Sequence, residues 1–186
     1  MLAPAIAMHY SGFMRSLIQQ YAKDLTAGRL ASGYEHSYRV YHLAKRIGAG
    51  SDYDDDVLHA ACFLHDILMG TLQPSRSADK ASDILRETGF DPAKIPKVHA
   101  AIAEHMPGGS PAEVEGMLLY DANYLDSVGA VGMARLAIGS FFWYHYKTME
   151  DVLRLYREQL EKADTLHFPV SVELARERVE FSRQAV

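Results

Sequence analysis

VLHAACFLHDIL, residues 57–68, is the stretch whose reading decides the fold. It is very apolar, and it follows SDYDDD (51–56), which offers capping side chains and negative charge where a helix N-terminus favours both. A helix is therefore expected to start in the acids and end near His65 and Asp66. Neighbouring side chains on a helix point about 100° apart, so this adjacent pair can flank one ion.

Working outward, the periodicity is helical throughout, and the alternation of β-branched residues expected of strands is absent over any useful length. Seven to nine helices are expected. A first, amphipathic and peripheral, covers 8–26, with Phe13, Leu17, Ile18, Tyr21 and Leu25 at helical spacing before Gly28. A second covers 32–47, with Val40, Leu43, Ala44 and Ile47 on its apolar side and His36 in its first turns. MGTLQPSRS (69–77) reads as a loop bordering a pocket, followed by a polar helix from 78 to 88 and another from Pro92. After HMPGGSP (105–111), a helix opening at Pro111 runs to 125 and carries Asp121; the next begins at Ser127. From FFWYHYKTM (141–149) to LARERVEF (174–181) two further amphipathic helices are expected.

The 186 residues suit one domain, 1–186, with an ordinary core, since 48% are hydrophobic and 23% charged. A net charge of −5 provides no positive field for a polyanion, so a nucleic acid polymer is not expected as a partner. A small phosphorylated molecule is compatible, because a metal and a few local bases can neutralise it inside a pocket. Cys62, the single cysteine, excludes an intrachain disulfide or a cysteine-rich zinc site. No basic residue precedes the short apolar stretch at the start, and no run is long enough to span a bilayer. A cytoplasmic, membrane-free protein is the expectation.

Three segments carry a resemblance. GYEHSYRV (33–40), ACFLHDIL (61–68) and LLYDANYLDSVGAVGMAR (118–135) resemble the HD superfamily, whose pattern is a single His, then His-Asp, then a distant Asp. The last is similar to the signature DADRLDALGAIGIAR of small stand-alone HD hydrolases. The resemblance covers about residues 30–140. It implies an all-α HD-domain helical bundle, with extra N- and C-terminal helices outside it. It also implies that His36, His65, Asp66 and Asp121 are ligands of one divalent metal ion, so that His36→Ala and Asp121→Ala lose the metal. Imidazole with carboxylate suits manganese, iron, cobalt, nickel or zinc better than magnesium.

Departures accompany it. The carboxylate that many members carry shortly after the pair is replaced by Ile67, Leu68, Met69, Gly70 and Thr71, and Asn123 and Tyr124 replace the acid and arginine of the signature. Asp79 and Asp83 read as surface residues. His105 in IAEHMPGG (102–109) matches a histidine common in the family and is expected to hold substrate phosphate; a second-metal role is the alternative. Arg39, three residues after His36, shares its helix face and is expected to contact phosphate or to brace Asp66, with an ordinary surface salt bridge as the equal alternative. Arg135 matches the final arginine of the signature and could tie two helices together. His9, His42, His59, His145 and His167 have no assigned partner, and Cys62 reads as core. Phe141, Phe142, Trp143, Tyr144 and Tyr146 suggest core packing or a homodimer contact.

The expected activity is metal-dependent hydrolysis of a phosphate ester or anhydride in a small metabolite. The resemblance suggests a nucleotide, with Asp66 both ligating the ion and orienting water. A metal-binding protein without hydrolysis, acting as sensor or scaffold, is the second reading; oxygen chemistry at paired irons is the third.

Overall fold

The computed structural model describes residues 3–68, 74–143 and 148–185. Among them are nine α-helices, a short 3-10 turn and no strand. The expected all-α architecture is present. The helices are α1 (Ala3–Leu25), α2 (Tyr34–Ile47), α3 (Asp55–Leu64), α4 (Pro74–Thr88), α5 (Ile95–Ala103), α6 (Val114–Asp126), α7 (Gly129–Trp143), α8 (Met149–Leu160) and α9 (Pro169–Ala185), with the 3-10 turn at Glu161–Thr165.

The helix predicted from VLHAACFLHDIL is α3, and it lies at the centre. Val57 to Leu64 are all buried. A helix apolar on every face can be stable only with neighbours on every face. Here α1, α2, α5 and α6 surround it. Asp54 caps it, its Oδ1 accepting from the amides of Asp56 at 3.0 Å and Val57 at 3.3 Å. The remaining acids are neutralised by tertiary partners: Arg15 and Lys45 reach Asp55, while Lys94 reaches Asp54 and Asp56. Cys62 is fully buried beside Phe63 and Leu64, as expected of a core thiol.

Some sequence expectations shift. Helix α1 turns Met14, Ile18 and Ala22 inward, leaving Phe13 largely exposed. Helix α4 begins at Pro74, four residues before Ala78, because proline at a first helical position loses no intrahelical hydrogen bond. The loop before it, 69–73, lies outside the described residues, as do the side chains of Phe141, Phe142, Trp143, Tyr144 and Tyr146. Beyond α6, helices α7, α8 and α9 pack together, and α9 returns against α6. Among the described residues no helix is long and apolar enough to cross a membrane.

Candidate metal centre

Three elements bring the central donors together. The first turn of α2 supplies His36, the residue capping the C-terminus of α3 is His65, and Asp66 follows it. His36 and His65 are buried, and one third of the Asp66 side chain is open, toward a cavity. Arg29 fixes the turn after α3 by donating to the carbonyls of Asp66 at 2.8 Å and Ile67 at 2.9 Å.

The hydrogen bonds settle the tautomers. His36 Nδ1 lies 2.7 Å from an Asp126 carboxylate oxygen, and His65 Nδ1 lies 2.8 Å from the Cys62 carbonyl. Both partners only accept, so each Nδ1 carries the proton and each Nε2 presents a lone pair. These two Nε2 atoms are 3.0 Å apart. Lone pairs that close repel unless a positive centre draws on both. Asp66 Oδ2 is 3.6 Å from one and 3.8 Å from the other, so the three side chains together could hold a cation. Donation of the outer N–H to a carboxylate or carbonyl is the usual arrangement behind a metal-bound histidine. The residues therefore fit a divalent ion.

His105, at the end of α5, repeats the pattern. Its Nδ1 donates to the Ile102 carbonyl at 2.6 Å, and its buried Nε2 has no hydrogen-bond partner among the described residues. That Nε2 is 3.8 Å from Asp66 Oδ1. The expectation that His105 holds phosphate needs an Nε2 proton, whereas this tautomer offers a lone pair suited to a cation or to the hydrogen of a water.

Charge states agree with this reading. Burial, then the charge of Arg135, outweighs the pull of Asp126 and lowers His36 to about 3. Burial lowers His105 to about 4. Burial works against the Asp66 charge, but the surrounding histidines and Arg135 outweigh it and bring the carboxyl to about 2. Near neutral pH Asp66 is thus ionised while His36 and His105 are neutral, the forms a metal requires. His59, buried against Gln19 and Phe63, is likewise lowered to about 4 by burial.

These histidines predict an acid limit for the metal-free chain. Their folded pKa values are depressed from 6.5 to about 3 or 4, so below pH 6.5 the unfolded chain binds more protons and stability falls. Each adds to that loss until its folded value is passed. In chelator, the urea midpoint is expected to drop steeply between pH 6.5 and 4 and to be level above 7. A midpoint independent of pH across that window would contradict the burial argument.

Asp121 corrects the sequence expectation: it is fully buried but is not at this centre. Its carboxylate accepts from the amides of His167 and Phe168, each at 3.0 Å, and from His167 Nδ1 at 2.9 Å. It anchors the segment that begins α9, and His167 is not without a partner. Residues two apart on a helix face nearly opposite ways, whereas residues three apart share a face. Asn123 accordingly lines the metal cavity and Asp126 reaches His36, while Asp121 points away from both. Asp121→Ala is therefore expected to keep full metal content. It should lose about 1–3 kcal/mol for each buried donor left unpaired, read as a lower thermal midpoint.

Arg39 is the second correction. Its guanidinium grips Asp126, Nε to Oδ1 at 2.7 Å and Nη2 to Oδ2 at 3.0 Å, and it does not line the metal cavity. It braces His36 through Asp126 and not Asp66. The arginine at the cavity wall is Arg135, which also donates to the Asp126 carboxylate at 2.9 Å and to the Ala31 carbonyl, tying α7 to α6 and to the segment before α2. Asp79 and Asp83 are exposed and pair with His99 and Arg86, as expected of surface acids.

The cavity above the donors measures about 460 Å³. Asn123 and Tyr124, the residues that depart from the signature, form part of its wall with Tyr120, and Gln159 and Lys162 from the C-terminal elements close the side. Sequence reading missed Asp126, Arg29, Gln159 and Lys162. The signals for Asp126 were its match to the acid after leucine in the signature and its place in YLDS, one helix turn after Asn123.

The HD domain family model matches residues 33–128, over half of the chain, and the chain belongs to that family. HD domains bind divalent metals, in keeping with the His36, His65 and Asp66 cluster. Bacillus subtilis YpgQ, in a structure with ADP, superposes with a TM-score of 0.76 at 25% identity, over 95% of this chain and 93% of its own. A predicted HD superfamily hydrolase from an uncultured Thermotogales bacterium gives 0.62 at 25% identity, over 92% and 86%. An HD-superfamily hydrolase from Bacillus thuringiensis shares the fold, with a TM-score of 0.72 at 21% identity over 94% of both chains. No curated protein matches. The fold is that of a metal-dependent hydrolase of this superfamily.

Proposed function

We propose that the protein hydrolyses a phosphate ester or anhydride in a small phosphorylated metabolite, with nucleotides the first class to test. The observation that carries this reading is the convergence of the unprotonated Nε2 atoms of His36, His65 and His105 on the Asp66 carboxylate, at the foot of a cavity of about 460 Å³. That volume is within the range of small-molecule sites. The nucleotide is supported by the ADP present in the YpgQ structure.

His36, His65 and Asp66 would hold the ion, which supplies Lewis-acid polarisation of the phosphate and acidifies water. The chain's own groups do the rest. Asp66, with an oxygen facing His105, orients the attacking water, and His105 Nε2 accepts its proton. Arg135 takes the charge-balancing role expected of Arg39, since it is the arginine at the cavity wall. Asn123, Tyr120 and Tyr124 shape the room left for the organic part of the substrate.

Phosphate release from a panel of nucleoside mono-, di- and triphosphates, with manganese, cobalt, nickel and magnesium supplied in turn, tests the reading. Turnover selective for substrate and metal, and lost in Asp66→Ala, is the expected result. Bound metal without turnover of any phosphate compound would overturn hydrolysis and leave a sensor or scaffold.

A further inference from the structure

A second cavity, of about 530 Å³, opens on the other side of Asp126, and among the described residues none lines both cavities. Arg39, Arg46 and Arg178 face it with His42, and among the described residues Asp126 is the one carboxylate in its lining. The Asp126 charge is already shared with Arg135 and His36 from the side of the metal centre. Arg39 is satisfied by that carboxylate. Arg46 and Arg178 are not: among the described residues neither pairs with a carboxylate. Arg178 donates to the Leu125 carbonyl near the end of α6, and Arg46 occupies the last turn of α2. Those helix ends explain the sign of the two residues but do not neutralise them. Burial, and then the nearby charge of Arg46, lowers Arg178 against the pull of Asp126, the mark of two like charges facing a common space. At the rim, Tyr38 and His42 lie with ring centroids 4.3 Å apart and planes tilted by 53°.

We infer that this groove is a binding site for a small polyanion of the diphosphate class, separate from the metal cavity. Three guanidiniums against one shared carboxylate give a local positive field in a chain whose net charge is −5, so the excess is not a matter of composition. Guanidinium groups are planar, permanently charged and suited to bidentate contact with phosphate. The site abuts the Asp126 that orients His36, so an anion drawn to Arg39 acts on the same carboxylate as the metal-binding histidine.

The test is calorimetric titration of methylenediphosphonate, which cannot be hydrolysed at its bridge, into the manganese-treated wild type, Arg46→Glu and His65→Ala. Arg46 is exposed, so its replacement leaves the fold intact, and Arg46→Gln provides a milder change at the same position. A binding event besides that of the metal cavity is expected in the wild type; it weakens at least about tenfold in Arg46→Glu, less in Arg46→Gln, and remains as the single event in His65→Ala. No binding by the wild type, binding indifferent to Arg46→Glu, or loss of all binding in His65→Ala would each overturn the proposal. None of these readouts requires turnover.

Discussion

Replacing His65 with alanine is expected to strip the chain of its divalent ion and of every activity that depends on it, while leaving it folded. His65 is fully buried at the end of the central helix, with its Nδ1–H committed to the Cys62 carbonyl and its Nε2 placed between His36 Nε2 and Asp66. Truncation removes one of three convergent donors and leaves His36 Nε2 without the imidazole 3.0 Å from it. Loss of a partner behind a ligand costs about 10–100-fold in metal affinity, and loss of the ligand itself is expected to exceed that range. The hydrogen bond given up is to a backbone carbonyl at a helix end, worth about 1 kcal/mol, so unfolding by heat should change far less than manganese affinity. Manganese titration followed by electron paramagnetic resonance reads the first quantity and a thermal melt the second. Unchanged affinity in His65→Ala would remove the centre.

Asp126→Ala is expected to damage stability and metal binding together. This buried carboxylate accepts from His36, Arg39 and Arg135, and it is held well below the ordinary carboxylate range, burial being outweighed by these partners. Removing one member of a buried charge pair typically costs about 3–5 kcal/mol, because the partner charge stays buried without compensation. Here the mostly buried Arg135 is that partner, while Arg39 retains access to water. His36 loses the acceptor that fixes its tautomer, so the fall in metal affinity should lie within the 10–100-fold range for outer partners. Asp126→Asn keeps an acceptor and the side-chain volume, and it should recover part of both losses. Urea unfolding and manganese titration on the two variants check this; an Asp126→Ala chain as stable as the wild type would contradict the network.

The contrast between Asp126 and Asp121 shows where sequence legibility ended. The central helix was readable because VLHAACFL is apolar on all faces, and the order His36, His65, Asp66 was readable as a motif, so the three donors that meet were named beforehand. The helical acid was not assignable in the same way. Almost every residue of α6 is buried, Glu115, Asp121 and Asp126 included, so no polar stripe reveals which side faces the metal. The partner that claims Asp121, His167, is 46 residues away on a connection with no periodic signal. Arg39 was correctly placed on the His36 side of α2, but spacing along one helix cannot tell whether a long side chain enters a cavity or stops at a carboxylate from another helix. The walls supplied by Gln159 and Lys162 belong to elements outside the matched family region, where no motif guided the reading.

The most direct test of the central claim is the metal content of the wild-type chain, purified without chelator and then reconstituted with manganese, measured by mass spectrometry beside His65→Ala and Asp121→Ala. The geometry predicts about one ion per chain in the wild type and in Asp121→Ala, and none retained by His65→Ala. A wild-type chain that holds no ion after reconstitution, or an Asp121→Ala chain that loses it while His65→Ala keeps it, would contradict the assignment of the centre to His36, His65 and Asp66.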